Sequence, residues 1–307
     1  MGAGPEALTV EHDGVSIAAL DWGGDGEPLL LLHPNGFCAG FFDPLARRLR
    51  DRFRPIGVDL RGHGATDARD DPGWYRYDYM AADVAAVLDA LAVDEFVALG
   101  ESLGGGVAVF VDRLRAPRLR RVMLCEAIAF DAFVDATEAA EADVGGPESE
   151  GRRNFMAEIA RKRRPVWADR ETVRASYAGR PPLDVLAPEA LDAYVRWGFV
   201  DRPDGRVELA CPPEVEATIF EVAAHEHGAR GAWNHLAKLT ASAAVLCGDR
   251  SDLPAAWFEA QAERVGTEIV RVAGGHFFLQ EDTARAEALV REHLTCCLLY
   301  TSPSPRD

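Results

Sequence analysis

The feature that most restricts the fold of this chain is a serine between glycines, Gly100-Glu101-Ser102-Leu103-Gly104. The apolar run Phe96-Val97-Ala98-Leu99 before it is typical of a buried strand, and residues 103–114 after it have helical spacing. A serine at such a junction indicates a strand, a turn too tight for larger flanking residues, and a helix. A glycine-rich turn without chemistry is the alternative, and the flanking strand and helix disfavour it.

Short apolar runs alternate with longer helical patterns along the rest of the chain. This alternation predicts an α/β fold, a mostly parallel central sheet flanked by helices. Strands are predicted at 7–10, 15–20, 28–33, 53–60, 96–99, 122–125, 243–247 and 269–272. The first two form an antiparallel hairpin in this prediction, and helices are expected at 41–49, 77–91 and 103–114.

A long gap separates two of the predicted strands. Residues 131–235 have helical periodicity and no convincing strand run. The segment is therefore predicted to be a helical cap inserted into a core made of residues 1–130 and 236–295.

The C-terminal residues 297–307 have a sequence unlike the end of a folded domain. They match the translation of a transposase adapter used in sequencing libraries, which indicates a gene of metagenomic origin. A non-native tail is therefore expected over 296–307, with the native terminus lost after Thr295.

The formal net charge of −17 disfavours nucleic acids and anionic membranes as partners. No apolar run approaches the roughly 20 residues of a membrane span, and no signal peptide is evident, so a cytoplasmic protein is expected. Four widely spaced cysteines, Cys38, Cys125, Cys211 and Cys247, are expected to be reduced and buried. The oligomeric state is left open.

Ser102 and His276 are the residues that best fit nucleophilic chemistry. On a strand-turn-helix junction the serine hydroxyl is exposed, and the N–H of Leu103 faces the position of a developing oxyanion. His276 follows the last predicted strand in Ala273-Gly274-Gly275-His276-Phe277, in the chain order expected of a base. A lone histidine is more often structural, and that is the interpretation for His33 and His63, which end strands.

The carboxylate that would orient His276 has two candidates. Asp252 follows the penultimate strand and is the first choice, while Asp249, closer to the strand end, is expected to shape the turn. Glu126 is the rival, because it ends the strand after the serine helix in Leu124-Cys125-Glu126-Ala127-Ile128. His225 and His227 have no evident third ligand and are interpreted as surface residues. Nucleophilic chemistry by Ser102 and His276 needs neither a metal nor an organic cofactor, and none is expected.

Taken together, these features resemble the α/β-hydrolase superfamily over residues 7–294, including the turn Arg61-Gly62-His63-Gly64. The chain looks most like its capped serine esterases and lactonases, its cofactor-free haloperoxidases and its carbon–carbon bond hydrolases. Asn35 falls where haloalkane dehalogenases carry a halide-binding asparagine. Glu126 falls where some haloalkane dehalogenases, and the lactonases that open zearalenone, have the acid of their catalytic triad. Dehalogenases use an aspartate nucleophile, and Ser102 excludes their usual chemistry.

The resemblance implies hydrolysis of a small apolar carboxylic ester or lactone through an acyl-enzyme. It also implies that the loop His33-Pro34-Asn35-Gly36-Phe37 supplies a second oxyanion donor, the N–H of Asn35, because Pro34 has none. Carbon–carbon bond hydrolysis and perhydrolysis are alternatives, and a ligand receptor with slow turnover is an alternative from another class. The aromatic residues expected to line the pocket are Phe37, Phe130, Trp167, Tyr194, Trp197 and Trp233.

Overall fold

The computed structural model describes residues 4–131, 154–223 and 225–295. The tail expected at 296–307 and the first part of the expected cap, 132–153, lie outside the described residues.

The centre of the fold is a sheet of eight strands in the order β1-β2-β4-β3-β5-β6-β10-β11. The strands are, in chain order, β1 (Glu6–His12), β2 (Val15–Asp21), β3 (Glu27–Leu32), β4 (Phe53–Val58), β5 (Phe96–Glu101), β6 (Leu119–Cys125), β7 (Val166–Trp167), β8 (Phe199–Asp201), β9 (Val207–Leu209), β10 (Ser242–Gly248) and β11 (Ile269–Val272). The pairs β1-β2 and β2-β4 are antiparallel, and all the pairs beyond β4 are parallel. The predicted hairpin and mostly parallel sheet are confirmed.

Helices cover both faces of this sheet. They are α1 (Asp43–Leu49), α2 (Tyr77–Ala90), α3 (Leu103–Arg115), α4 (Phe155–Arg161), α5 (Arg170–Tyr177), α6 (Pro188–Trp197), α7 (Pro213–Val222), α8 (Ala229–Leu236), α9 (Ala255–Val265), α10 (Phe278–Glu281) and α11 (Thr283–Leu294). One core contains side chains of α2, α3, α8 and α9, and the other contains those of α1 and α11. Because strands such as β5 are buried on both faces, they are continuous apolar runs rather than alternating ones.

The segment between β6 and β10 differs from the prediction. It contains α4 to α8, and also a small antiparallel sheet in the order β7-β9-β8. The expectation that this segment holds no strand is wrong. Strands of two or three residues are too short to produce a recognisable alternation of polar and apolar residues in the sequence.

The start of α3 passes so close to the end of β3 that there is no room for a side chain at Gly104. A Cβ atom at Gly104 would lie 2.2 Å from the backbone oxygen of Leu32. Neither backbone can yield without disturbing the sheet or the helix, so glycine is required for close packing rather than for flexibility.

We predict that Gly104→Ala lowers the free energy of unfolding by about 3 kcal/mol or more, because the added methyl group overlaps backbone atoms. Urea unfolding measures the change. Gly179→Ala is the matched control, since no atom lies within 4 Å of a Cβ at that position. Equal midpoints for the two variants would contradict this account of the packing.

Candidate active site

Ser102 lies on a strained turn between β5 and α3. Its φ is 55° and its ψ is −117°, a backbone conformation that residues other than glycine rarely adopt. The turn is held by β6 and the residues after it: the Ser102 N–H donates to the Cys125 oxygen (2.9 Å), and the Ile128 N–H donates to the Ser102 oxygen (2.9 Å). The sheet therefore maintains the strained serine in one position.

The N-terminus of α3 begins directly after the serine. The Leu103 N–H is the first of this helix, so it has no acceptor one turn earlier in the same helix. The partial positive charge of a helix N-terminus lies at the same place. An N–H at this position is suited to donate to an anionic oxygen.

A fully buried carboxylate, that of Glu126, contacts His276. Glu126 Oε2 lies 2.6 Å from His276 Nδ1 and accepts a hydrogen bond from the Ser251 hydroxyl at 2.7 Å. Glu126 Oε1 accepts one from the Gly248 N–H at 2.8 Å. Both oxygens are thus satisfied, as a buried carboxylate requires.

Of the two candidate carboxylates, the structure places Glu126 rather than Asp252 against His276. The N–H of Gly248, the last residue of β10, and the hydroxyl of Ser251 in the following turn both donate to Glu126, while Asp252 is exposed. Asp249 does shape the turn, since its Oδ1 accepts from the Gly274 N–H at 2.9 Å in the loop before His276.

Sequence reasoning missed the supporting role of Ser251 and of the Gly248 N–H. One signal was available: Glu126 directly follows a strand whose last four residues are apolar and buried, where an ionisable group needs dedicated partners. Which residues supply those partners depends on contacts 122 or more residues distant in the chain.

The contact with Glu126 sets the tautomer of His276. A carboxylate only accepts, so the proton of a neutral imidazole lies on Nδ1. The lone pair of Nε2 then remains available to take a proton. The His276 side chain is 23% exposed, whereas that of Glu126 is inaccessible. The pair therefore combines a buried carboxylate with an imidazole that remains accessible.

The loop that carries Asn35 lies between β3 and α1, and two buried histidines brace it. His33 donates from Nδ1 to the Pro34 oxygen (2.8 Å), and its Nε2 accepts from the Leu60 N–H (3.0 Å). His63 Nε2 accepts from the Gly36 N–H at 3.0 Å. These local hydrogen bonds agree with the structural interpretation of both histidines.

Burial keeps the two histidines neutral. It lowers the pKa of His33 to about 4 and, together with the neighbouring His33, lowers the pKa of His63 well below its ordinary value. Neutral imidazoles retain one acceptor nitrogen each, which the backbone N–H groups of this region use.

An aromatic cluster lies beside the loop and His276. The Phe37 ring lies 4.4 Å from Phe41, 4.6 Å from Tyr194 and 5.0 Å from Phe277, and Phe277 lies 5.0 Å from the His276 ring. Trp167 belongs to the same buried cluster. Three expected pocket residues pack elsewhere: Phe130 stacks on Trp257, Trp197 packs on the α1 and α11 side, and Trp233 packs in the core with α3.

Glu101, next to the serine, is a buried carboxyl group. Burial raises its pKa to about 8, the hydrogen bond from Gln280 Nε2 (2.8 Å) opposes the rise, and the charge of Glu126 adds to it. At neutral pH this carboxyl of Glu101 therefore favours its protonated form.

Within residues 4–131, 154–223 and 225–295, no group of three or more His, Cys, Asp or Glu side chains is arranged to hold a metal ion. His225 and His227 are exposed. The four cysteines named above are buried and unpaired. Among the described helices, none has the length and apolar character needed to cross a membrane.

The chain belongs to the alpha/beta hydrolase family, which it matches over residues 29–292. A serine hydrolase-like protein of Danio rerio is 27% identical over 195 residues, 61% of this chain and 58% of that protein. The 2-(acetamidomethylene)succinate hydrolase of Mesorhizobium japonicum is 33% identical over 174 residues, 55% of this chain and 61% of that protein. The chain thus spans about three-fifths of the length of these curated relatives.

Solved structures agree with this assignment. That of E-2-(acetamidomethylene)succinate hydrolase superposes with a TM-score of 0.76 at 21% identity, covering 94% of this chain and 99% of that one. A thermophilic esterase from Thermogutta terrifontis superposes with a TM-score of 0.66 at 25% identity, covering 94% and 98%. The fold is that of an alpha/beta hydrolase, in agreement with the family to which the chain belongs.

We predict that Glu101→Gln changes how stability depends on pH. The Glu101 carboxyl ionises near pH 4.5 in the unfolded chain and near pH 8 in the folded protein. The stability that its protonated form contributes is therefore complete below pH 4.5 and is lost as the pH rises to 8. The wild type should lose about 1.4 kcal/mol per pH unit relative to the variant across this window, with no further loss above it.

Urea unfolding of both proteins at intervals from pH 4 to 9 checks this expectation. Glu6→Gln, at an exposed position, is the control and should show no such trend. A difference between wild type and Glu101→Gln that is constant with pH would show that the buried carboxyl titrates normally.

Proposed function

We propose that the protein is a serine hydrolase that cleaves a small-molecule carboxylic ester or lactone through an acyl-enzyme. The observation that carries the proposal is the buried Glu126 carboxylate 2.6 Å from His276 Nδ1, in a family member with a serine on the turn before α3. Ser102, His276 and Glu126 are the proposed nucleophile, base and orienting acid.

The proposed first step forms the acyl-enzyme. His276 Nε2 takes the proton of Ser102 Oγ as the oxygen attacks the substrate carbonyl carbon, and the carbonyl π electrons move to oxygen. When the tetrahedral intermediate collapses, the bond to the leaving alkoxide breaks and His276 gives it the proton. In a lactone the alcohol stays attached to the acyl group.

The second step releases the acid. His276 removes a proton from water, the hydroxide attacks the acyl carbon, and collapse of the second intermediate returns the proton to Ser102. Throughout, the Glu126 carboxylate holds the imidazole and stabilises its charged form. The backbone N–H groups of Leu103 and Asn35 are the proposed donors to the tetrahedral oxyanion, each contributing about 3 kcal/mol.

The inserted segment is proposed to cap the site and provide an apolar pocket. The aromatic cluster with Phe37, Phe41, Tyr194 and Phe277 supports this, because it joins the segment to the loops carrying Asn35 and His276. The thermophilic esterase among the structural neighbours supports an ester as substrate. The similarity to 2-(acetamidomethylene)succinate hydrolase supports a second candidate, hydrolysis of an acylated amino group on a dicarboxylic acid.

Ser102→Ala is expected to reduce ester hydrolysis by about 10⁴-fold or more, because it removes the attacking oxygen. Turnover of a nitrophenyl-ester panel, with many cycles per site, is the measurement, and a fluorophosphonate should label the wild type at Ser102. Ser242→Ala, at an exposed position on β10, is the control. Single acylation without turnover would favour a receptor, and labelling at another serine would refute the nucleophile.

Glu126→Gln is expected to reduce kcat by up to ~10⁴-fold, because an amide no longer fixes the Nδ1–H tautomer of His276. Asp252→Asn, at an exposed carboxylate four residues after β10, is the matched control and should stay within about threefold of the wild type. Both are measured on one fast ester, with circular dichroism to confirm folding. The reverse order of effects would return the orienting role to Asp252.

A further inference from the structure

A buried network from the inserted segment reaches the backbone of the loop that carries Asn35. Arg163 forms an ion pair with Glu216, and their side chains are only 20% and 11% exposed. Arg163 Nη2 donates to the Tyr194 hydroxyl at 2.6 Å, and that hydroxyl donates to the Gly36 oxygen at 3.0 Å. The chain of contacts thus runs from a charged pair to a peptide group next to Asn35.

Two further contacts join the same network to the loop. The Asn35 side chain donates from Nδ2 to the backbone oxygen of Glu216 at 3.0 Å. Gly36 has a φ of +78°, and a Cβ there would lie 2.7 Å from Glu216 Cδ and 2.8 Å from Arg163 Nη1. The ion pair therefore packs directly against the Gly36 Cα, at a position where a larger residue would displace it.

The peptide groups around Asn35 are held from two sides. On the core side, His33 binds the Pro34 oxygen, which belongs to the same planar peptide as the Asn35 N–H, and His63 binds the Gly36 N–H. On the side of the inserted segment, Tyr194 binds the Gly36 oxygen. These bonds fix three successive peptide planes.

The order of donors fixes the direction of the Tyr194 hydroxyl. Because the Arg163 guanidinium can only donate, the tyrosine oxygen accepts from it and its proton turns to Gly36. Burial raises the Tyr194 pKa, so the hydroxyl keeps this proton. Glu216 balances the charge of Arg163, so the network imposes direction without adding net charge beside the site.

We infer that Arg163, Glu216 and Tyr194 are positioning residues that hold the Asn35 N–H at the place where it meets the oxyanion. The inference rests on the proposed function, in which Asn35 is one of the two oxyanion donors. It makes the hydrolytic site composite: the core supplies the reacting groups, and the inserted segment sets the geometry of one donor. A loop displaced by about 1 Å is enough to reduce the rate a hundredfold.

A direct role for Arg163 in binding a substrate carboxylate is the competing explanation. Its guanidinium already contacts Glu216 and Tyr194, which favours positioning. The two roles also differ in kinetics. A positioning defect lowers kcat with little change in KM, because it weakens contacts made mainly in the transition state, whereas loss of a substrate anchor raises KM.

Tyr194→Phe tests the inference, since it removes only the hydroxyl. We expect kcat for a neutral nitrophenyl ester to fall roughly tenfold to a hundredfold, with KM within about twofold. The affinity for phenylboronic acid, which forms a tetrahedral anionic adduct with an active serine, should fall by about the same factor. Arg163→Met/Glu216→Leu, which removes both charges together, should show the same pattern without leaving an unpaired buried charge.

Arg174→Met is the matched control. It breaks the ion pair with Asp192 between α5 and α6, in the same segment but without contact to the Asn35 loop, and should leave all three quantities unchanged. The melting temperatures of all variants identify any variant that is merely unfolded. If the double variant is unstable, Tyr194→Phe still tests the inference, because it retains the packing of the ring.

The possible results separate this inference from the proposed function. If the wild type turns over esters, Ser102→Ala is inactive and Tyr194→Phe keeps full kcat and boronate affinity, the positioning role is overturned alone. A rise in KM without a fall in kcat also overturns it, in favour of substrate binding. If the wild type neither turns over esters nor reacts with a fluorophosphonate, the proposed function fails, and the inference fails with it.

Discussion

The burial of one carboxylate, that of Glu126, is the constraint on which the rest of the site depends. A charge removed from water needs close partners, and Glu126 has the Gly248 N–H, the Ser251 hydroxyl and His276 Nδ1 within 2.8 Å. Gly248 is the last residue of β10, Ser251 lies in the turn after it, and His276 lies in the loop after β11. The carboxylate thus adds to the hydrogen bond from the Gly274 N–H to Asp249 Oδ1, which already joins these two loops.

The parallel register of the sheet brings these loops together. Cys125 at the end of β6 pairs with Leu246 of β10, and Gly248 at the end of β10 pairs with Val272 of β11. Because neighbouring parallel strands end at one edge, their loops share that edge with the turn after β5. The same order explains why Ser102 binds the backbone beyond β6 as well as opening α3.

The sequence was sufficient for features that depend on local pattern, such as the strand, turn and helix around Ser102 and the position of His276 after the last strand. The choice between Asp252 and Glu126 depends instead on side-chain direction after a four-residue turn, which chain order does not determine. The small β7-β9-β8 sheet has strands too short to show periodicity. The hydrogen bond of Tyr194 to the Asn35 loop and those of Arg163 to Glu216 and Tyr194 join residues far apart in the chain, which single-sequence patterns do not encode.

The chain length between Glu126 and its partners has a consequence for biosynthesis. Its hydrogen bonds span 122, 125 and 150 residues. Closing loops of this size is entropically costly and slow compared with forming α3 or the hairpin. A nascent chain that has been synthesised only as far as Glu126 lacks all three of these partners. The complete set of contacts around Glu126 can therefore form only after β11 and His276 have been synthesised.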